Sequence, residues 1–394
     1  MKAEKILLPN AKKRLFLWKN FNPRDTKDIE KVLNSLKNCP PNSFRDAWRW
    51  FHLFQETSNA VTEVQNLLEL KTLRVANEPV FQQELQEFES NIFRRLLESR
   101  QELMDVYMSS PFRSSMHPDD NGRIMEEFRV REPFVKPELA TLQVEENNLI
   151  REYRSYIYNS RVDYDGRSLS LSTVVGKLSS TEEHIRKSAF ITVGKFYQKN
   201  ATTLERLFSE LLENRNAQAE VCSLGSYAPI AFADLGRFDY GVEECATFRK
   251  GIEKELSQKF GDIEAAQCHS LGQTSIKPWN INTFPSLIPQ SPPCGGNIRK
   301  ILASLPQLLQ NIHPCFEQLC QEMIQRNLVD VFPRHGKGPG AFCMTFPESQ
   351  MPFIFANLGG SWKDVLTLIH EFGHAAHGHA CVTLPNVLLV HTPI

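Results

Sequence analysis

Apolar residues recur at helical spacing through most of this chain, so the pattern predicts a mainly α fold. Two long helices are expected from Asn42 to about Asn77 and from Glu78 to about Ser109. In the second, Phe81, Leu85, Phe88, Ile92, Leu96 and Leu103 form a core-facing stripe. Residues Ser109–Pro137, which hold Pro111, Pro118, Asp119-Asp120-Asn121-Gly122, Pro133 and Pro137, read as a long connection. A boundary there divides the chain into an N-terminal helical region, 1–137, and a second unit, 138–394. Helices resume over about Glu138–Tyr158 and break around Asp163-Tyr164-Asp165-Gly166. They restart where Ser180 and Glu183 stand at capping-box spacing ahead of a run to about Val221. Val242–Lys259 and Asn297–Asn327 continue the series. Lys277–Gly296, with five prolines among its breakers, is expected to be irregular. Gly340–Phe346 and Pro352–Asn357 are the two segments that read as strands.

Immediately after them, Ser361 and Asp364 mark a helix start, a capping serine with an acid three residues on. The helix they open carries His370-Glu371-Phe372-Gly373-His374, an HExxH motif. With 11 His among 394 residues, roughly 0.02 such matches are expected by chance. At 3.6 residues per turn, i and i+4 share a face, so His370 and His374 can reach one Zn²⁺ while Glu371 reaches a water held by it. Such a water, its pKa lowered to about 7, attacks a peptide carbonyl with the glutamate as general base. Val365, Leu366, Leu368, Ile369, Phe372, Ala375 and Ala376 give the helix a broad apolar surface. Thr367, His370, His374 and His377 share another side. His377 cannot converge on the same tetrahedral ion from one helix, so it is expected to orient a ligand or line the cleft. The metzincin pattern is excluded, because it needs Gly at 377 and His at 380 where the chain has His377 and Ala380. His379 and His391 read as incidental, and neither His269 nor His313 is assigned as a ligand.

Composition changes this picture little. Lys and Arg total 45 against 46 Asp and Glu, a net charge of −1 that gives no electrostatic case for nucleic acid or an anionic membrane. Nine scattered cysteines without a CxxC pair argue against a disulfide framework and fit a reducing cytoplasm. No leader peptide and no membrane span is read from the sequence. Gly336-Lys337-Gly338-Pro339-Gly340 lacks the order of a phosphate loop and reads as a turn. Asp163 with Asp165, and Asp119-Asp120, read as solvated turn residues.

The segments Asp330–Cys343, Pro352–Asn357 and Asp364–His377 together resemble the thimet oligopeptidase/oligoendopeptidase F family of zinc metallopeptidases. Weaker likeness continues upstream through Arg186–Phe190 and Arg215–Ala219. The resemblance implies a zincin-type helical oligopeptidase with a small β-ribbon beside the HExxH helix, hydrolysing short peptides in the cytoplasm. It implies His370 and His374 as metal ligands, Glu371 as general base, and the strand around Pro352–Asn357 as an edge that pairs with substrate backbone. The family's third ligand, a glutamate on a later helix, is expected beyond Ile394, so the catalytic unit reads as incomplete at its C-terminus. An inactive remnant that binds peptides or partner proteins without turnover is the rival reading; a helical scaffold with a fortuitous motif is a third. Leu384, Val387, Leu388, Leu389 and Val390 are expected to be exposed and to favour association.

Overall fold

The computed structural model describes residues 5–383, other than 12, 76–77, 113–129, 135, 181, 238, 282–292, 335 and 339. Helix α1 (Thr26–Asn38) starts on Asp25, whose carboxylate accepts from the Lys27 amide at 2.9 Å. Helix α2 (Phe44–Arg74) starts on Ser43, which accepts from the Asp46 amide at 3.1 Å, and it runs for 31 residues, about 46 Å. The second expected helix is two, α3 (Pro79–Phe88) and α4 (Arg94–Ser109), joined by one wide π-helical turn over Glu89–Phe93. Its stripe of Leu85, Phe88, Ile92 and Leu103 is buried with Ile29, Leu36, Phe51, Ala60 and Leu68 in a first core.

Helix α5 (Pro137–Asn159) lies close to its predicted span. After it the chain departs from expectation. The break at Asp163–Gly166 is the turn of a hairpin, β1 (Arg161–Tyr164) against β2 (Arg167–Ser170). Asp165 and Gly166 both take positive φ, 57° and 70°, the backbone that tight antiparallel turns require. Helix α6 (Leu171–Gly176) follows. The run from Ser180 is again two helices, α7 (Glu183–Lys199) and α8 (Ala201–Val221), with Asn200 out of helical geometry between them. No capping box forms at its start. Ser180 Oγ accepts from the amide of Glu182 at 3.2 Å, and Glu183 turns to Trp279, whose indole N–H donates to it at 3.0 Å.

Helix α9 (Ala228–Asp234) precedes α10 (Val242–Leu271), which runs twelve residues past the expected end at Lys259 and stops where Gly272 enters the left-handed region at φ 63°. The expected helix Asn297–Asn327 splits into α11 (Ile298–Gln310) and α12 (Pro314–Gln325). Asn297 caps the first and Pro314 opens the second as its first residue. Short 3₁₀ turns at Pro278–Asn280 and Pro293–Gly296 are the described parts of the breaker-rich stretch.

A second core gathers Leu70 of α2 with Ile301, Leu305, Leu319, Met323, Phe346, Phe353, Ile354, Phe355, Leu368 and Phe372. Its centre is a three-stranded sheet, β3 (Val329–Asp330), β4 (Phe342–Phe346) and β5 (Met351–Phe355), in the order β3-β5-β4. β5 pairs parallel with β3 and antiparallel with β4. The last described element is α13 (Trp362–Thr383), which carries the HExxH motif. Helix α2 contributes to both cores and so joins the two ends of the chain. Asp119-Asp120, His391 and the apolar run from Leu384 lie outside the described residues.

Candidate active site

The start of α13 is fixed locally. Ser361 Oγ accepts from the Asp364 amide at 3.2 Å, while Asp364 Oδ2 accepts from the amides of Ser361 at 2.8 Å and Gly359 at 3.0 Å. From that start the 3.6-residue period places Leu368, Phe372 and Ala375 in the core. Leu366, read as part of the apolar surface, points away and is 67% exposed. The opposite side holds His370 and His374, both exposed, with their Nε2 atoms 3.1 Å apart. Two imidazole nitrogens at about 2.0–2.1 Å from one tetrahedral ion stand about 3.3 Å apart, so the pair is already at ligand spacing. Glu371 lies between them and is buried. Burial pushes its carboxyl above the usual range, while His370 and His374 pull it back. His377 continues the row, its Nε2 3.6 Å from Cys381 Sγ. His379 is not incidental: Nδ1 lies 2.9 Å from the Gln350 carbonyl, and Gln350 Nε2 donates to the Val382 carbonyl at 2.7 Å. These contacts tie the β4–β5 turn to the helix.

The helix rests on the sheet at close range. A Cβ on Gly378 would lie 2.3 Å from Thr345 Oγ1, a separation that no side chain tolerates, so only glycine lets α13 approach β4 here. Thr345 and Cys343 are on the same face of β4, and the Cys343 thiol, pushed up to about 12 chiefly by burial, also feels the Glu371 carboxylate. The site is thus α13 packed against β4, with Gly378 over Thr345 and Glu371 two turns back along the helix.

Topology corrects one expectation. The strand read as the substrate-binding edge, Pro352–Asn357, corresponds to β5, which is central and buried along its length; among the described residues the edges are β3 and β4, and β4 is the longer. The pairing shows which groups face outward. Pro352 has no N–H, so Thr345↔Pro352 cannot be a hydrogen-bonded pair. The Ile354 amide donates to Leu328 on the β3 side at 2.9 Å, so Cys343↔Ile354 is not one either. The backbone N–H and C=O of Cys343 and Thr345 therefore point to the open side.

Behind the sheet, Asp330 collects three cations. Arg74 Nε donates to it at 2.8 Å, Arg334 at 2.6 and 2.8 Å, and Lys337 Nζ at 2.9 Å. Lys337 also donates to the carbonyls of Asp330 at 2.8 Å and Ala356 at 2.5 Å. Burial works to raise the Asp330 carboxyl, but Arg334, Lys337 and Arg74 outweigh it and hold it well below the usual range. Burial lowers Lys337 to about 8 against the pull of Asp330. The sequence reading of Gly336–Gly340 as a turn had no access to this cluster, whose partners are up to 256 residues apart. A cavity of about 1370 Å³ elsewhere, between α2, α5, β1 and α7, is lined by Glu69, Arg154, Tyr158 and Lys195; none of the HExxH side chains reaches it.

Residues 309–387 match the family model for peptidase family M3. That stretch, which carries the HExxH helix, is similar to the family. The chain is 23% identical over 222 residues to oligopeptidase PepF of Bacillus subtilis (strain 168), an alignment covering 55% of this chain and 32% of that protein, so it spans about a third of that curated relative. Its fold is that of the structure assigned as oligoendopeptidase F from Bacillus anthracis str. Ames, with a TM-score of 0.85 at 19% identity over 94% of this chain and 69% of that one. PZ peptidase A, solved with an inhibitor, gives 0.82 at 20% identity over 94% and 66%. The helical oligoendopeptidase fold expected from the sequence is therefore present. Among the described residues no group of three His, Cys, Asp or Glu side chains is placed to hold a metal ion, and no helix is long and apolar enough to cross a membrane.

Proposed function

We propose that this chain is the metal-binding part of a zinc-dependent endopeptidase that cleaves short peptides. The observation that carries the reading is the pair His370–His374, Nε2 to Nε2 at 3.1 Å, with buried Glu371 beside it over the open edge of β4. The donor set fits Zn²⁺ in chemistry and spacing for two of its ligands, and the third comes from outside the described residues. When bound, the ion polarises the scissile carbonyl and makes water a nucleophile at neutral pH. The chain's own residues do the rest. The outward N–H and C=O groups of β4 hold the peptide extended, an arrangement that reads backbone and tolerates many sequences. Glu371 takes the proton of the attacking water and hands it to the departing amine. Its burial favours the protonated form in that second role.

Short peptides are the proposed partners, with no part for nucleic acid. The free cysteines suit a reducing, cytoplasmic setting. Peptide binding without turnover is the second reading, favoured by a two-ligand set. Zinc content and cleavage of an internally quenched peptide, measured on the chain and on Glu371→Gln and His374→Ala, decide between them. Turnover lost in both variants, with zinc lost only in His374→Ala, supports the enzyme. Zinc-dependent turnover that survives Glu371→Gln overturns the role of that residue. Peptide binding with no turnover in any form favours the second reading.

A further inference from the structure

Helix α2 does more than join the two cores. Asn66 Nδ2 donates to the Thr345 carbonyl at 2.9 Å, and that carbonyl is one of the groups β4 directs to its open side. One turn earlier, Glu63 accepts from the Glu348 amide at 3.0 Å and from Ser349 Oγ, both in the turn after β4. A strand added to β4 would lie about 4.7–4.9 Å away in the hydrogen-bonding direction, with its own N–H donating to Thr345. The Asn66 amide already occupies that place. The free stretch of edge therefore ends at Thr345.

The register with α13 sets where this stop falls. Thr345 faces Gly378, and Glu371 is seven residues, about 10 Å, back along the helix. Cys343 is two residues, about 7 Å, back along β4 on the face shared with Thr345. The catalytic level is thus at Cys343, and the block lies one pair of residues beyond it. On the other side, α2 next meets this segment at Gly338, four residues ahead of β4, where the Leu73 carbonyl accepts from the Gly338 amide at 2.7 Å.

We infer that Asn66 is a length-determining residue: it closes the β4 edge at Thr345 and limits a bound peptide to about two residues on that side of the cleavage level. This deepens the reading of the cleft as a peptide site and rests on it. A positioning role in the fold alone would leave the dependence on peptide length untouched.

The test is a ladder of unlabelled peptides, each one residue longer at one terminus or the other, titrated in zinc-containing buffer against the chain, Asn66→Ala and Asn66→Gln. Affinity and amide exchange at Cys343 are both read. In the native chain, growth at one terminus stops improving affinity after two residues, while growth at the other does not meet this stop. Asn66→Ala gains about two- to tenfold from the next residue, the worth of one freed hydrogen bond, and Asn66→Gln keeps the block. If Asn66→Ala does not fold, Asn66→Asp, of the same size but without the N–H donor, takes its place. Identical ladders in all variants, with Cys343 protected by peptide in each, overturn the role of Asn66 and leave the peptide site standing. No protection of Cys343 by any peptide in any variant overturns both.

Discussion

Strand β5 and helix α10 are both rich in large apolar side chains and treat them oppositely. Met351, Phe353, Ile354 and Phe355 of β5 are each 3% exposed or less, whereas Phe248, Phe260 and Ile263 of α10 are 70%, 60% and 50% exposed. In a helix of thirty residues only Gln267 is buried. Hydrophobic periodicity makes a helix or a strand, but burial needs a partner element, and β5 has four around it: β3, β4, α12 and α13. The side chains over the HExxH helix are therefore held by the sheet, and those of α10 contribute little to the folded state as described.

The contrast can be broken most directly by truncation. Phe355→Ala is expected to cost about 3–5 kcal/mol in denaturant unfolding, because it opens a cavity in a closed core. Phe260→Ala should stay within about 0.5 kcal/mol. Equal effects would show that α10 is covered in solution.

An effect of similar size is expected at the buried ion cluster. Asp330→Asn leaves Arg74, Arg334 and Lys337 facing one another and should cost about 3–5 kcal/mol at neutral pH. The folded carboxyl titrates below its unfolded value of about 3.9, so the native chain holds this contribution above about pH 4 and loses it as the pH falls further. Urea midpoints measured down through pH 4 should therefore fall more steeply for the native chain than for Asp330→Asn. Parallel slopes would mean that the cations do not set the carboxyl's state.

Two glycines of α13 sharpen the comparison within one helix. Gly378→Ala drives a methyl into Thr345 and should cost about 1–3 kcal/mol, relieved when Thr345→Ala is added. At Gly373 a Cβ meets nothing within 4 Å, so Gly373→Ala should gain about 0.5–1 kcal/mol in thermal unfolding from helix propensity alone. Destabilisation at both positions would place the helix closer to the rest of the molecule than its described contacts do.

Much of the site was legible because its determinants are local. The Ser361–Asp364 cap, the i, i+4 imidazoles and the core face of α13 depend on residues within one or two turns of each other. The hairpin at Arg161–Ser170 carries a local signal too, Asp165-Gly166 as a two-residue turn, but its strands are only four residues long and half exposed, so their alternation is too weak to mark them. The splits at Asn200 and at Asn311–His313 are single departures from helical backbone that apolar spacing does not register. The strand order was not legible at all, since an apolar run reads the same whether it is central or at an edge.

The sequence by itself determined the helical class, the HExxH helix with its start, and the two histidines and glutamate it presents, because each follows from spacing along one backbone. Only the tertiary structure decided that β5 is interior and β4 open, that Asp330 gathers Arg74 from the far end of the chain, and that Asn66 sits on the edge. These depend on which segments meet across hundreds of residues, and that choice is made by the collective burial of two cores rather than by any local pattern.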